Sequence, residues 1–170
     1  MRKLPSTGYV SYVVLFCFIS LNGCKSIPNP EADGFIRSMR ELDRAQRPQG
    51  QDLPMERFIA WQTQRDTGSL SPPELQRALE RLATETAQIV QRIDAIKPRT
   101  TLARDVIAGY RTSHESARLG FEDLIDDMRL HTVGNTVRGE SRVRTAITTI
   151  RQVRQQRRAV EAQFGEEPSH

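Results

Sequence analysis

The chain has 170 residues, of which 27% are charged, with 25 basic against 21 acidic side chains and a formal net charge of +4. Two cysteines, Cys17 and Cys24, are too few for a disulfide framework, so stability must come from packing. Arg2 and Lys3 lie in the N-terminal segment, which leaves 23 basic and 21 acidic residues from Cys24 onward; so nearly balanced a body is not a nucleic-acid signature.

The N-terminal segment comes first. Arg2 and Lys3 form a basic start, Val13 to Ile19 is an unbroken apolar run, and Ser20-Leu21-Asn22-Gly23 leads into Cys24. Charge, apolar run and small residue in that order make an export signal. The run falls well short of the ~20 residues that span a bilayer as a helix. Leu21, Gly23 and Cys24 resemble the processing site of bacterial lipoproteins, with Asn22 where that family usually has a small or apolar residue. The resemblance covers residues 1–24. It implies removal of residues 1–23 as signal peptide and lipidation at Cys24, with two or more acyl chains giving stable membrane anchoring. It further implies an address in the cell envelope. Lys25 stands where an aspartate would resemble an inner-membrane retention signal, which favours the outer membrane facing the periplasm. In a Gram-positive cell the same signal would mean the outer face of the plasma membrane.

Residues 24–34 read as the lipidated N-terminus and a tether rich in proline and glycine, able to reach at most ~35 Å. Residues 35–164 read as one helical domain, and 165–170 as a disordered tail. Phe35, Ile36, Met39, Leu42 and Ala45 recur at helical spacing until Arg47-Pro48-Gln49-Gly50 stops them. Leu53 to Asp66 is a second short helix whose apolar content is Phe58, Ile59 and Trp61, with Trp61 expected to pack between helices.

The strongest pattern runs from Ser71 to Lys97. Ser71 can cap, Pro72 needs no amide hydrogen at the first helical position, and Glu74 holds the capping-box position. Leu75, Leu79, Leu82, Thr86, Ile89, Ile93 and Ile96 then alternate by four and three, a coiled-coil seam ended by Pro98. A second long helix is expected from Thr100 to His131, with Leu102, Val106, Tyr110, Ala117, Phe121, Leu124 and Met128 on one face and Gly134-Asn135 as its break. A third is expected from Thr136 to Phe164 on Val143, Ala146, Ile150, Val153, Val160 and Phe164, with Gly165 as the stop. Arg157 holds a seam position of this helix, so it should snorkel, pair with a buried acid or mark an opening. Short links favour antiparallel neighbours. The expected fold is all-α: an antiparallel helical bundle of three long helices running up-down-up, plus one or two short N-terminal helices. There is no strand pattern and no internal repeat. The seam at Leu75–Ile96 could close within the chain or between subunits.

Two clusters are candidates for chemistry. Glu115, Glu122, Asp123, Asp126 and Asp127 carry acids at helical spacing, but no Glu-x-x-His pair accompanies them, and they are expected to face solvent; no metal or cofactor is expected. Arg138, Arg142, Arg144, Arg151, Arg154, Arg157 and Arg158 lie against the single acid Glu140. Arg144, Arg151, Arg154 and Arg158 fall within ~80° on a helical wheel and are the candidate anion- or partner-binding set. Neither a free cysteine after Cys24 nor any nucleophile elbow, zinc helix or phosphate loop is present. His114 and His131 are expected to be surface or packing residues, and His170 is terminal. The expectation is a non-catalytic binding or scaffold module for another envelope protein, held to the membrane by its lipid and without a nucleic-acid partner. The alternatives are a ligand-sensing bundle for a small anion or lipid, with a pocket near Arg157 and Trp61, or a pilot protein for a secretion system.

Overall fold

The computed structural model describes residues 29–47, 53–130 and 133–164, with side chains from 137 onward in the last of these. Cys24, the export signal, Gly165 and the 166–170 tail lie outside the described residues, as do His131 and His170. The described residues form five helices and no strand: α1 Pro30–Gln46, α2 Pro54–Asp66, α3 Pro72–Asp94, α4 Thr101–Leu130 and α5 Val133–Gln163. Among them no helix is long and apolar enough to cross a membrane.

Local chemistry explains most of the helix ends. Glu74 reaches back to accept the Ser71 amide at 2.9 Å and the Ser71 hydroxyl at 2.6 Å, with Pro72 first in the helix. Leu53 begins α2 in the same manner, its amide donating to Glu56 at 3.0 Å. The start of α1 corrects the expected tether. Asn29 Oδ1 accepts the Glu31 and Ala32 amides at 3.1 and 3.3 Å, and Pro30 opens the helix. Asn-Pro is therefore a helix cap here, and Pro30 to Gly34 are helical. Gly34 is buried because a Cβ there would meet Thr100 Cγ2 at 3.0 Å. The break between the last two helices also differs. Helix α5 already begins at Val133, so Gly134 and Asn135 lie in its first turn; a helix start tolerates both residues.

The long helices α3, α4 and α5 pack in series, with α4 central. Helices α1 and α2 form a fourth, interrupted column. Phe35 meets Phe164 at 5.8 Å between ring centres and Arg92 donates to the Ala45 carbonyl at 2.8 Å, so α1 lies beside the C-terminal ends of α3 and α5. Trp61 Nε1 donates to the Leu75 carbonyl at 3.0 Å and Gln62 to Glu140 at 3.2 Å, so α2 lies beside their N-terminal halves. The column runs parallel to α4 and antiparallel to α3 and α5. The result is an up-down-up-down bundle whose first strut is broken between Gln46 and Pro54.

The seam of α3 closes within the chain: Leu75, Leu79, Leu82, Thr86, Ile89 and Ile93 are all buried. Thr86 is accommodated because its hydroxyl donates to the Leu82 carbonyl at 2.6 Å. Ile96 lies beyond the helix end and packs against the core from there. Phe58 is fully buried, stacked on Trp61 at 5.4 Å and tilted against Phe121 at 5.5 Å. Its neighbour Ile59, expected among the apolar content of α2, is 52% exposed. Helices α4 and α5 pack closely at Gly120 and Gly139. A Cβ on Gly120 would lie 2.7 Å from Val143 Cγ2 and 2.9 Å from the Gly139 carbonyl oxygen. A glycine-to-alanine change inside a helix ordinarily gains about 1 kcal/mol. Gly120→Ala is expected to destabilise instead, because overpacking against a backbone that cannot rotate away costs about 1–3 kcal/mol. A urea midpoint equal to or above wild type would show that the helices do not meet there.

Candidate anion-binding cleft

The interruption of the first column leaves a polar cleft between the end of α1 and the C-terminal half of α5. Helix α1 ends at Gln46 with Arg47 as its cap, and α2 begins at Pro54 after the extended Leu53. The cleft has a volume of ≈ 510 Å³ and is lined by Asp43, Arg44, Gln46, Arg47, Tyr110, Arg154, Arg157, Arg158 and Glu161. Among the described residues that is five arginines against two acids, drawn from α1 with its cap and from α5, while α4 contributes Tyr110.

Arg157 is the floor. As its seam position requires, it is buried, and it takes the second of its expected solutions by pairing with a buried acid. Its Nε donates to Glu161 at 2.7 Å, and its two terminal nitrogens donate to the two Asp43 oxygens at 2.6 and 2.9 Å. The Arg157 and Glu161 side chains are 11% and 6% exposed, whereas Asp43 keeps 51%. Burial disfavours the guanidinium charge, but the hydrogen bonds and charges of Asp43 and Glu161 more than offset it, and the pKa rises above the ordinary arginine value. The planar fork of arginine suits such a bidentate pair. Tyr110, on α4, borders this group; burial pushes its hydroxyl pKa up, with Arg157 and Arg154 acting in the opposite sense.

The rim is looser. Glu56 at the start of α2 accepts from Arg47 at 2.9 Å and from Arg154 at 3.4 Å, so one acid serves two cations. Arg44 and Arg158 are exposed and have no acid within salt-bridge distance among the described residues.

Of the four arginines expected as one binding set, the structure brings Arg154 and Arg158 to this cleft and leaves the other two outside it. Arg144 bonds Glu140 at 3.5 Å and borders a larger, shallow groove of ≈ 750 Å³ with Val137, Ser141, Thr145, Thr148 and Gln152. That groove carries one cation already answered by an acid, so charge converges at the smaller cleft. Arg151 is exposed and lines neither. The wheel spreads these four along some 20 Å of helix, which is too long for one ligand group. Trp61, expected beside Arg157, is 3% exposed inside the core, with the Arg65 guanidinium 5.2 Å above its ring. Asp43, Arg44 and Arg47 were not singled out by their sequence; their signal is a charged helix end directly before the Pro-Gln-Gly interruption.

The acidic cluster of α4 is less solvated than expected. Glu115 and Glu122 both pair with Arg118, and Asp123 with Arg142 at 2.7 Å and Arg138 at 3.6 Å. Only Asp126 is exposed, and Asp127 Oδ1 is buried with no hydrogen-bond partner. Arg118 of α4 itself answers Glu115 and Glu122, and of these acids only Asp123 is paired with arginines of α5 among the described residues. No group of three or more potential metal ligands occurs among the described residues. His114 is fully buried, and neither ring nitrogen has a hydrogen-bond partner in the protein. The spacing Tyr110–His114–Ala117–Phe121 places it on the buried face. Burial, and then the nearby Arg154 charge, lower its pKa from 6.5 to about 4, so it is neutral near pH 7.

Comparison of the chain with protein-family models, curated proteins and solved structures found no match.

Proposed function

We propose that this chain is a lipid-anchored protein of the bacterial envelope, attached through Cys24, that works by binding an anionic group of another envelope component. The observation that supports the reading is the cleft at the α1–α2 interruption, where Arg44, Arg47, Arg154, Arg157 and Arg158 converge. A concave site walled by low-dielectric protein and lined by one sign of charge attracts its counter-ion strongly. The lining also favours binding over catalysis: among the described residues it consists of hydrogen-bond donors and two acids engaged by Arg157. In this reading the lipid holds the bundle at the membrane, and the outer membrane facing the periplasm is the proposed site.

Two measurements test the two halves. Wild type is expected to take up a clickable palmitate and Cys24→Ala to take up none; an unlabelled wild type would remove the anchor. Affinity capture from solubilised envelopes is then expected to yield a partner that is lost with Arg44→Gln/Arg158→Gln and retained with Arg144→Gln/Arg151→Gln. The opposite pattern would move the binding surface to the outer face of α5.

A further inference from the structure

We propose that the cleft between α1 and α5 is a phosphoryl site, in which Arg44, Arg154 and Arg158 hold the oxygens of a dianionic phosphate group over a floor made by Arg157. The proposal deepens the anion-binding reading above and rests on it.

Charge counting selects the ligand class. Five arginines and two acids line the cleft, and Glu56 adds a third acid at the rim. Two positive charges remain in excess among the described residues. A carboxylate brings one negative charge and two acceptor oxygens. A phosphate monoester brings about −1.5 to −2 at neutral pH and three strong acceptor oxygens, which matches the surplus.

Geometry assigns the roles. Arg157 has its fork occupied by Asp43 and Glu161, so it supplies a held, desolvated floor and keeps α1 docked on α5. Arg44 and Arg158 are exposed at the mouth, on α1 and α5 respectively, with no acid within salt-bridge distance among the described residues. Arg154 is held at 3.4 Å from an acid it shares with Arg47, a long contact that a better acceptor can replace. Guanidinium forks approaching from two helices suit a tetrahedral oxyanion, since each fork can span two of its oxygens. The volume of ≈ 510 Å³ lies within the range of ligand pockets, about 300–1,000 Å³.

The test is calorimetric titration of the full chain in neutral detergent with inorganic pyrophosphate, with citrate and a glutamate-rich peptide as carboxylate comparators. Pyrophosphate is expected to bind and the carboxylates to bind at least roughly tenfold more weakly. Arg44→Gln and Arg158→Gln, both surface changes, are each expected to weaken pyrophosphate roughly tenfold, the loss of one charge-assisted hydrogen bond. Arg151→Gln is expected to leave it unchanged. Displacement of bound pyrophosphate by phosphatidic acid vesicles, and not by phosphatidylcholine vesicles, would assign the phosphoryl group to a lipid headgroup. Displacement by neither would assign it to a soluble phosphate ester. Equal or tighter binding of the carboxylates, or indifference to Arg44→Gln and Arg158→Gln, would overturn the phosphoryl assignment while leaving an anion site. Binding of no anion by the folded wild type would overturn that reading as well.

Discussion

Arg157→Leu is expected to cost about 3–5 kcal/mol of folding stability, because it strands a buried carboxylate. Glu161 keeps only 6% of its side chain exposed and depends on Arg157 Nε at 2.7 Å. Asp43, at 51% exposure, regains water when its partner goes, so the loss falls on Glu161. The double variant Arg157→Leu/Glu161→Leu is expected to recover most of the loss, since an apolar pair of similar bulk in place of a buried ion pair is often neutral or stabilising. Arg157→Lys should fall between, because one ammonium cannot reproduce a fork that serves two acids. Urea unfolding reads all three as midpoint shifts at constant slope. A single variant within about 1 kcal/mol of wild type, well below the penalty for a stranded charge, would mean that Glu161 is not buried as the structure has it. The double variant also separates stability from binding: it should fold well and still lose the floor of the cleft.

His114→Leu is expected to flatten the acid side of the stability profile. The folded-state pKa of His114 is lowered to about 4 from 6.5 by burial and by Arg154. The unfolded chain therefore binds more protons between those values, and stability rises with pH there. The penalty is absent above about pH 6.5, grows as pH falls toward 4 and is constant below. The full difference corresponds to about 3 kcal/mol. Many carboxylates titrate in the same range, so the informative quantity is variant minus wild type. Any packing cost of leucine is the same at both pH values and cancels between them. The variant should gain about 2–3 kcal/mol on wild type between pH 7.5 and pH 4. It is also expected to be the more stable form at pH 7.5, because two unpartnered buried ring nitrogens are removed. A difference that does not change with pH would place His114 in contact with solvent.

Legibility in the sequence followed the range of the interaction. Ser71-Pro72-Pro73-Glu74 announces a helix start because its hydrogen bonds close within four residues. Asn29-Pro30 is equally local, yet it serves a linker as well as a cap, and only the packing of Gly34 and Ser38 against Arg99 and Thr100 decides between them. His114 was legible in principle: it stands four residues after Tyr110 and three before Ala117, on the face that the apolar residues define. A histidine is simply a poor predictor of burial, since its polar atoms usually find partners and here do not.

By itself the sequence determined an all-α bundle of three long helices preceded by one or two short ones, most of the faces they bury and the anomaly of an arginine at position 157. Helical periodicity and capping are written in neighbours a few residues apart, and the apolar stripes must be covered whatever the topology. Only the tertiary structure decided which charges meet. Asp43 and Arg157 are 114 residues apart, and Glu56 reaches Arg154 across 98. The wheel grouped Arg144 and Arg151 with Arg154 and Arg158 because it projects along the axis of one helix and discards height. The cleft is set by the height at which another column, α1 and α2, is interrupted, and that interruption takes in the last two arginines and excludes the first two.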